Sequence, residues 1–168
     1  PSGRSALVLG AGGAARSVVY ALARAGARVA LYNRTEERAR LLAAALAPHL
    51  PGSSVSVITP DCLPAVLAES ELIVNATSVG MTGGPAGSPL PPDAALRPGA
   101  TAYDLIYTPR WTPFLRQARA AGLRTVGGLG MLVHQGAQAL ELWTGRAAPV
   151  DAMRRAAERA LAARARRS

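Results

Sequence analysis

The chain has 168 residues, of which 49% are hydrophobic, and a net charge of +9 at pH 7. This length suits a single domain, and no apolar run approaches the roughly 18 to 20 residues that a membrane-spanning helix needs. Cys62 is the only cysteine, which excludes an internal disulfide and a cysteine-cluster zinc site. Residues 1–4 lead into an apolar run without the features of a signal peptide. We expect a cytoplasmic protein with no membrane segment.

The positive charge comes from arginine alone, since the sequence contains no lysine. Clustered cations favour nucleic-acid binding because they release counterions from phosphates. The densest cluster lies near the C-terminus without interleaved aromatic residues, so we interpret it as the solvated face of a helix and expect no nucleic-acid partner. Its members are Arg154, Arg155, Arg159, Arg164, Arg166 and Arg167.

Short apolar and β-branched runs alternate with longer stretches of helical period, a pattern typical of βαβ units. Six runs are predicted to be strands: 6–10, 28–33, 55–59, 72–77, 101–107 and 124–127. They predict an α/β fold with a doubly wound, mostly parallel six-stranded sheet between two helical layers. This is the three-layer αβα arrangement of the Rossmann fold.

Helical periods follow the first two predicted strands. The first helix is predicted from apolar residues at i, i+3, i+4 and i+7, namely Ala15, Val18, Val19 and Leu22. The second is predicted to begin after Thr35, which can cap it, and to end at Pro48. Its inward side is predicted to hold Ala39, Leu42, Ala43 and Leu46.

A later helix is predicted from Leu129 onward. Its buried side is predicted to contain Leu129, Leu132, Val133, Leu140 and Trp143. Met131 and Gln135 are four residues apart on another side and can face a cleft. An ordinary exposed glutamine at 135 fits the same spacing.

Residues 81–92 are rich in glycine and proline and cannot continue a strand or a helix. We predict a loop beyond the carboxyl end of the fourth strand, at the edge where open α/β sheets bind ligands. Low-complexity sequence is the alternative interpretation.

Residues 10–15, Gly-Ala-Gly-Gly-Ala-Ala, follow a predicted strand and open a predicted helix. This is the context that the G-x-G-x-x-A dinucleotide fingerprint requires, although a plain glycine turn is the alternative. Gly10 permits the tight turn, Gly12 lets a pyrophosphate approach the backbone, and the helix N-terminus offers N–H groups to the anion. The predicted cofactor contacts are Gly10, Ala11, Gly12, Gly13 and Ala14.

The end of the second strand decides between NAD and NADP. An NAD site places an acid there to bind the ribose 2′-hydroxyl, whereas arginine suits the 2′-phosphate of NADP. The sequence has Asn33-Arg34-Thr35, with Arg38 one turn later. Two solvated arginines are the alternative, but cations are disfavoured at a helix N-terminus without an anion. The residues therefore favour NADP.

Four ordered blocks resemble the shikimate dehydrogenase family over nearly the whole chain. The first is the glycine turn followed by Asn-Arg-Thr at 33–35, and the second is Asn-Ala-Thr-Ser-Val-Gly-Met at 75–81. The third is Tyr-Asp-Leu-Ile-Tyr at 103–107, leading to Thr-Pro-Phe-Leu at 112–115. The fourth is Gly-Leu-Gly-Met-Leu-Val-His-Gln-Gly-Ala at 128–137.

The resemblance implies that residues 1–168 are the NADP-binding domain of an enzyme that interconverts 3-dehydroshikimate and shikimate. It implies a 2′-phosphate site formed by Asn33, Arg34, Thr35 and Arg38. Cofactor contacts are further implied at Thr77, Ser78, Leu105, Gly128 and Met131, of which Leu105 and Gly128 hold the nicotinamide amide through backbone groups. Substrate contacts are implied at Tyr107 and Gln135.

Other polar residues have ordinary explanations. His49 and His134 lack carboxylate or cysteine neighbours, so we expect surface histidines and no metal site. Asp104 lies in an apolar strand, where it is either a base or, more commonly, a buried aspartate that accepts backbone hydrogen bonds. Tyr107 equally suits a core tyrosine with a satisfied hydroxyl.

The sequence departs from the family in two respects. Gly127 stands where the family usually has an acid or an amide, so a polar contact is lost. The family's proton-transferring lysine and aspartate come from an N-terminal domain, whereas this sequence begins at the first cofactor strand. We expect these residues alone to bind NADP without oxidising shikimate. A quinate/shikimate dehydrogenase-like paralogue and a non-catalytic NADP-binding module are the alternatives.

Residues 151–168 are predicted to form a terminal helix. Its apolar stripe comprises Met153, Ala156, Ala157, Ala160 and Leu161. In the family this region packs toward the N-terminal domain, so we expect fraying or self-association through the stripe.

Overall fold

A computed structural model describes residues 1–52 and 54–165. Six strands form one parallel sheet in the order β3-β2-β1-β4-β5-β6. Their bounds are β1 (Ser5–Leu9), β2 (Arg28–Tyr32), β3 (Ser54–Val57), β4 (Leu72–Asn75), β5 (Thr101–Asp104) and β6 (Arg124–Val126). This order is typical of dinucleotide-binding doubly wound sheets. The predicted fold is confirmed, and all five strand pairings among the described residues are parallel.

Six helices surround the sheet in the described part of the chain. They are α1 (Gly13–Arg24), α2 (Glu36–Leu46), α3 (Leu63–Glu69), α4 (Pro113–Ala120), α5 (Leu129–Thr144) and α6 (Val150–Ala165), with 3-10 turns at Ala47–His49 and Pro60–Cys62. None of the helices described is long and apolar enough to cross a bilayer. Two members of the predicted terminal arginine cluster, Arg166 and Arg167, lie outside the described residues.

The six predicted strands exist, but each ends earlier than predicted, and after β4 and β5 a side chain turns the backbone. The Asn75 side-chain oxygen accepts the Thr77 N–H at 3.0 Å. Likewise, Asp104 accepts the Ile106 N–H at 3.0 Å. Asn and Asp commonly form turns by this bond to the residue two positions on. These turns replace the predicted strand ends at 76–77 and 105–107.

Alternate strand residues feed two cores, one on each face of the sheet. Val8 and Val29 pack with the inward residues of α1 and α2, including the predicted Ala15 and Leu42. Leu7, Leu9 and their neighbours face the other way and pack with α3 and α4. Successive side chains of a strand point to opposite faces, so this alternation produces the two helical layers.

The prediction for the buried side of α5 is partly wrong. Val133 is buried, as predicted, together with Ala137. Trp143, however, is 80% exposed and Leu142 is 84% exposed. Among the described residues, the two cores of the sheet include no side chain from the last turns of α5. The apolar side chains of these turns therefore lie outside both cores.

The terminal helix α6 returns along α5. Met153 packs at Gly136, where its methyl carbon would lie 3.3 Å from an added Cβ. Met153, Ala157 and Leu161 of the predicted stripe are half-buried, whereas Ala156 and Ala160 are exposed. The stripe is therefore partly packed within the chain.

Candidate functional site

A cleft of about 450 Å³ opens at the carboxyl ends of β1, β4 and β5. It lies between the glycine-rich turn, the loop after β4, the loop after β5 and α5. Its predicted lining residues are Gly12, Gly13, Ala14, Thr77, Ser78, Leu105, Tyr107 and Met131. Parallel strands at a topological switch point leave such a crevice, which is where ligands of open α/β sheets bind.

The glycine-rich turn is shaped by two different requirements. Gly10 has φ +110°, and a Cβ there would lie 2.8 Å from the Ala76 carbonyl oxygen, so only glycine fits. Gly12 and Gly13 have nothing within 4 Å of an added Cβ. Their open space faces the cleft, which leaves room for a ligand to approach the backbone. The first N–H groups of α1 have no intrahelical acceptor and point the same way.

A second groove of about 410 Å³ lies between α1 and α2. It shares Gly12 and Gly13 with the cleft, so the two concavities meet at the glycine-rich turn. The remaining lining residues are Ala11, Arg16, Arg38, Leu41 and Leu42. The described residues that line the groove include two arginines and no carboxylate, and this electrostatic character suits an anion.

A buried polar network supports the cleft from below. Asn75 donates to the Asp104 carboxylate at 3.1 Å, and Thr112 donates to its other oxygen at 2.5 Å. Burial raises the pKa of Asp104, while the hydrogen bonds from Thr112, Ile106 and Asn75 oppose that shift. Asp104 is 0% exposed, so it is the structural aspartate of the two alternatives and does not face the cleft.

The loop after β5 forms the far wall. Leu105 is buried, and its carbonyl oxygen would lie 2.1 Å from a Cβ added to Gly128, which brings these two backbones into direct contact. Tyr107 is 40% exposed and lines the cleft, so it is not a core tyrosine. Met131 lines the cleft one turn before Gln135, which is exposed and outside the cleft lining.

The turn between β2 and α2 lies beside the second groove. Asn33 donates its side-chain amide to the Thr35 carbonyl oxygen at 2.8 Å, which fixes this turn. Thr35 occupies the cap position of α2 as predicted, but its hydroxyl makes no capping hydrogen bond. Arg34 and Arg38 are exposed, and only Arg38 lines the groove.

Several lining residues were not predicted. In the cleft they are Ala76, Met81, Thr82, Ile106, Thr108 and Arg164, and in the groove Arg16, Leu41 and Leu42. The loop prediction for 81–92 is confirmed, and Met81 and Thr82 are its contribution to the cleft. Arg16 carried a signal in the sequence, because a cation in the first turn of a helix opposes the helix dipole.

A larger concavity of about 730 Å³ lies at the amino ends of the strands. Its charges are largely paired, since Arg4 and Arg97 both contact Glu71. The hydrogen bond from Arg4, with that from the Ser5 N–H, lowers the pKa of the Glu71 carboxyl. This edge is opposite to the one where α/β sheets bind ligands, so the smaller cleft is the better candidate site.

Two family models match the chain. One is described as shikimate / quinate 5-dehydrogenase and matches residues 2–81. The other is described as shikimate 5′-dehydrogenase C-terminal domain and matches residues 128–158. The NADP(+) shikimate dehydrogenase of Moorella thermoacetica is 47% identical over 97% of this chain and 56% of its own length. The chain belongs to the shikimate dehydrogenase family.

The chain matches only part of the length of its relatives. The enzyme of Symbiobacterium thermophilum is 48% identical over 95% of this chain and 55% of its own length. The chain thus spans about half the length of the curated relatives it matches. The names of both relatives specify NADP(+) as the cofactor.

Solved structures of the family share the fold. The shikimate 5-dehydrogenase of Thermus thermophilus in complex with NADP(H) and shikimate has 42% identity and a TM-score of 0.78, covering 93% of this chain and 55% of that one. Quinate dehydrogenase from Corynebacterium glutamicum in complex with NAD has 30% identity and a TM-score of 0.83, covering 90% and 54%. Both cofactors therefore occur among the structural neighbours.

Proposed function

We propose that this chain is the NADP(H)-binding domain of a shikimate dehydrogenase, which reduces 3-dehydroshikimate to shikimate. The observation that supports this most is the meeting of two concavities at Gly12 and Gly13. One is a cleft with apolar walls, and the other is a groove with arginines and no acid. A dinucleotide has the matching shape, with a pyrophosphate between a nicotinamide half and an adenosine half.

The glycine-rich turn fits a pyrophosphate. A Cβ at Gly12 or Gly13 would occupy the space through which the phosphates approach the backbone. The N–H groups at the start of α1 stabilise the negative charge. Ala14 lines the cleft and Ala11 lines the groove beside this turn, and Thr77 and Ser78 border it from the loop after β4. Gly10 is buried and lines neither concavity, so its part is to form the tight turn.

The turn after β2 supports NADP over NAD. Asn33 stands where an acid would repel a phosphate, and its amide holds the turn in place. Arg34, Arg38 and the uncommitted Thr35 hydroxyl are available to bind the 2′-phosphate. Arg40 is not available in the same way, because it pairs with Glu36 four residues earlier. Hydrogen bonds between a guanidinium group and a phosphate are charge-assisted, which makes them about twice as strong as hydrogen bonds between neutral groups.

The nicotinamide half occupies the cleft in this proposal. Leu105 and Met131 line this cleft, and we expect the backbone of Leu105 to bind the nicotinamide amide and Met131 to cover one side of the ring. Gly128 lies directly behind Leu105 and outside the cleft lining, and its N–H and carbonyl oxygen are bonded to Ile106 and Leu132, so its contribution is to hold Leu105 in place. Tyr107 and Gln135 then contact the substrate from the exposed edge. Bound NADPH supplies the hydride, and this chain's residues bind and orient it.

The described residues that line the cleft include no carboxylate, histidine or lysine side chain. The sequence has no lysine, and Asp104 is fully buried beneath the site. General acid–base catalysis typically contributes about 10² to 10⁴ in rate. We therefore propose that the 168 residues bind NADP but do not oxidise shikimate on their own.

Calorimetric titration tests the cofactor proposal. NADP+ should bind the chain at least about 10-fold more tightly than NAD+, and Arg34→Ala and Arg38→Ala should each remove about 10-fold of that affinity. Arg116→Ala deletes an exposed arginine on α4 and serves as the charge control. Equal dissociation constants for the two cofactors would reject the proposal.

An activity assay tests the second part. The chain, NADP+ and shikimate should give no NADPH above the background, and quinate should behave alike. Turnover at a rate typical of dehydrogenases would show that a proton-transfer group lies within these residues.

A further inference from the structure

The groove between α1 and α2 contains a second arginine that the proposed cofactor contacts leave unexplained. Arg16 lies in the first turn of α1, and Arg38 lies in α2 on the opposite wall. Both side chains are exposed and both line the groove. Two helices thus direct cations into one concavity.

Neither cation is neutralised by the protein. Within residues 1–52 and 54–165, neither guanidinium has a hydrogen bond or an ion pair. The nearby Glu36 is taken by Arg40, and the residues that line the groove include no acid. Two like charges facing one concavity repel each other, and an anion between them removes that cost.

The position of Arg16 is also unfavourable for α1 itself. A cation in the first turn of a helix opposes the dipole, and α1 has no acid in that turn to offset it. Alanine at this position would increase helix propensity. Arg16 therefore does not serve the stability of the helix, in contrast to Arg24, which donates to Tyr20 at the other end.

We propose that Arg16 forms the α1 side of the 2′-phosphate site, so that Arg16 and Arg38 hold this phosphate from opposite helices. The inference rests on the proposed NADP function and adds a specificity-determining residue to it. The groove joins the cleft at Gly12 and Gly13, so a dinucleotide that crosses this turn brings its adenosine half to these arginines. A phosphate between two guanidinium groups accepts charge-assisted hydrogen bonds from both.

Titrations of Arg16→Ala with three probes test this assignment. The probes are NADP+, NAD+ and adenosine 2′,5′-bisphosphate. We expect NADP+ and the bisphosphate to bind about 10-fold more weakly, because one charge-assisted contact is lost. NAD+ has the pyrophosphate but no 2′-phosphate, so its affinity should change less than about 2-fold. Arg16→Lys keeps the charge and should retain most of the preference for NADP+.

Thermal unfolding distinguishes a role of Arg16 in cofactor binding from a role in the stability of the fold. Without ligand, Arg16→Ala should have an unchanged or higher Tm, whereas its Tm increase with NADP+ should be smaller than that of the parent chain. Arg116→Ala, which removes a charge from α4, should leave both quantities unchanged.

The outcomes separate the two proposals. If the parent chain prefers NADP+ and Arg16→Ala keeps the full preference, the role of Arg16 is wrong and the cofactor proposal stands. If Arg16→Ala weakens NAD+ and NADP+ equally, Arg16 acts on the pyrophosphate or on the fold, and the assignment is also wrong. If the parent chain shows no preference for NADP+, both proposals are wrong.

Discussion

Asn75 and Asp104 stand opposite each other in register on β4 and β5, and the Asn75 side-chain amide donates to the Asp104 carboxylate at 3.1 Å. Both residues are 0% exposed. Asn75 also accepts the N–H and the hydroxyl of Thr77, at 3.0 and 2.7 Å. Asp104 accepts from Ile106 and from Thr112. One buried pair therefore positions both loops that wall the cleft.

Asn75→Ala should destabilise the chain and disturb the cleft together. The substitution leaves Asp104 without one donor and Thr77 without its acceptor. An unsatisfied buried polar group costs about 1 to 3 kcal/mol, so we expect a loss in that range in urea unfolding. NADP+ affinity should fall as well, because Thr77 is released. Ser78→Ala is the control for stability, since Ser78 is exposed in the same loop. Equal stability of both variants would contradict the role of the network.

Asp104 should make stability depend on pH in a defined direction. Burial raises its pKa in the folded chain, so the folded state binds the proton more tightly than the unfolded state does. This contribution is fully present below the unfolded pKa of about 3.9 and is lost as the pH rises through the folded pKa. Asp104→Asn cannot titrate and should lack that decline.

Urea unfolding of both proteins at a series of pH values measures the difference. The stability of the parent chain relative to Asp104→Asn should decrease as the pH rises from about 4 through the raised folded pKa. A relative stability that increases with pH would mean that the hydrogen bonds from Thr112, Ile106 and Asn75 outweigh the cost of burial.

The contact between Gly128 and Leu105 predicts a sharp contrast between two glycines. An added Cβ at Gly128 would lie 2.1 Å from the Leu105 carbonyl oxygen, whereas an added Cβ at Gly130 has nothing within 4 Å. Gly128 has φ −73°, so space and not backbone conformation excludes a side chain. Gly128→Ala should lose about 3 kcal/mol through overpacking. Gly130→Ala, inside α5, should gain up to about 1 kcal/mol.

Denaturant unfolding of the two variants checks this contrast. An unfolding midpoint for Gly128→Ala equal to that of the parent chain would show that the two backbones separate easily. The binding of NADP+ to Gly128→Ala is a second measurement, since the same contact shapes the far wall of the cleft.

Local patterns in the sequence predicted the sheet and the glycine-rich turn, whereas the resemblance to the family supplied Thr77, Ser78, Leu105 and Tyr107 of the cleft lining. The glycine-rich turn, the alternation of strands with helices and the loop at 81–92 follow from short-range rules on periodicity and turn residues. The two-sided core followed as well, because alternation along strands such as β1 determines which residues face each layer. Helix α3 was not predicted, since its seven residues are too few for a clear period.

Contacts between residues that are distant in the chain could not be predicted from these local patterns. Asp104 could be interpreted as a base or as a structural residue, and only its neighbours Asn75 and Thr112 decide between them. Arg16 was missed because a residue on one helix joins Arg38 on another only after both helices pack. The burial predicted for Trp143 failed for a related reason, since an apolar period does not say whether a partner surface exists.

The exposed end of α5 gives the last prediction. Trp143 and Leu142 are adjacent and 80% and 84% exposed, and exposed apolar patches commonly mark interaction surfaces. We expect the chain to self-associate with increasing concentration in sedimentation velocity. Replacing both residues with Gln should shift the chain to the monomer with little loss of stability, because neither side chain is packed.

Trp111→Gln is the contrasting variant, since Arg119 stacks on that ring at 5.1 Å. It should cost up to about 1 kcal/mol and leave the association unchanged. Concentration-independent sedimentation of the parent chain as a monomer would reject the prediction.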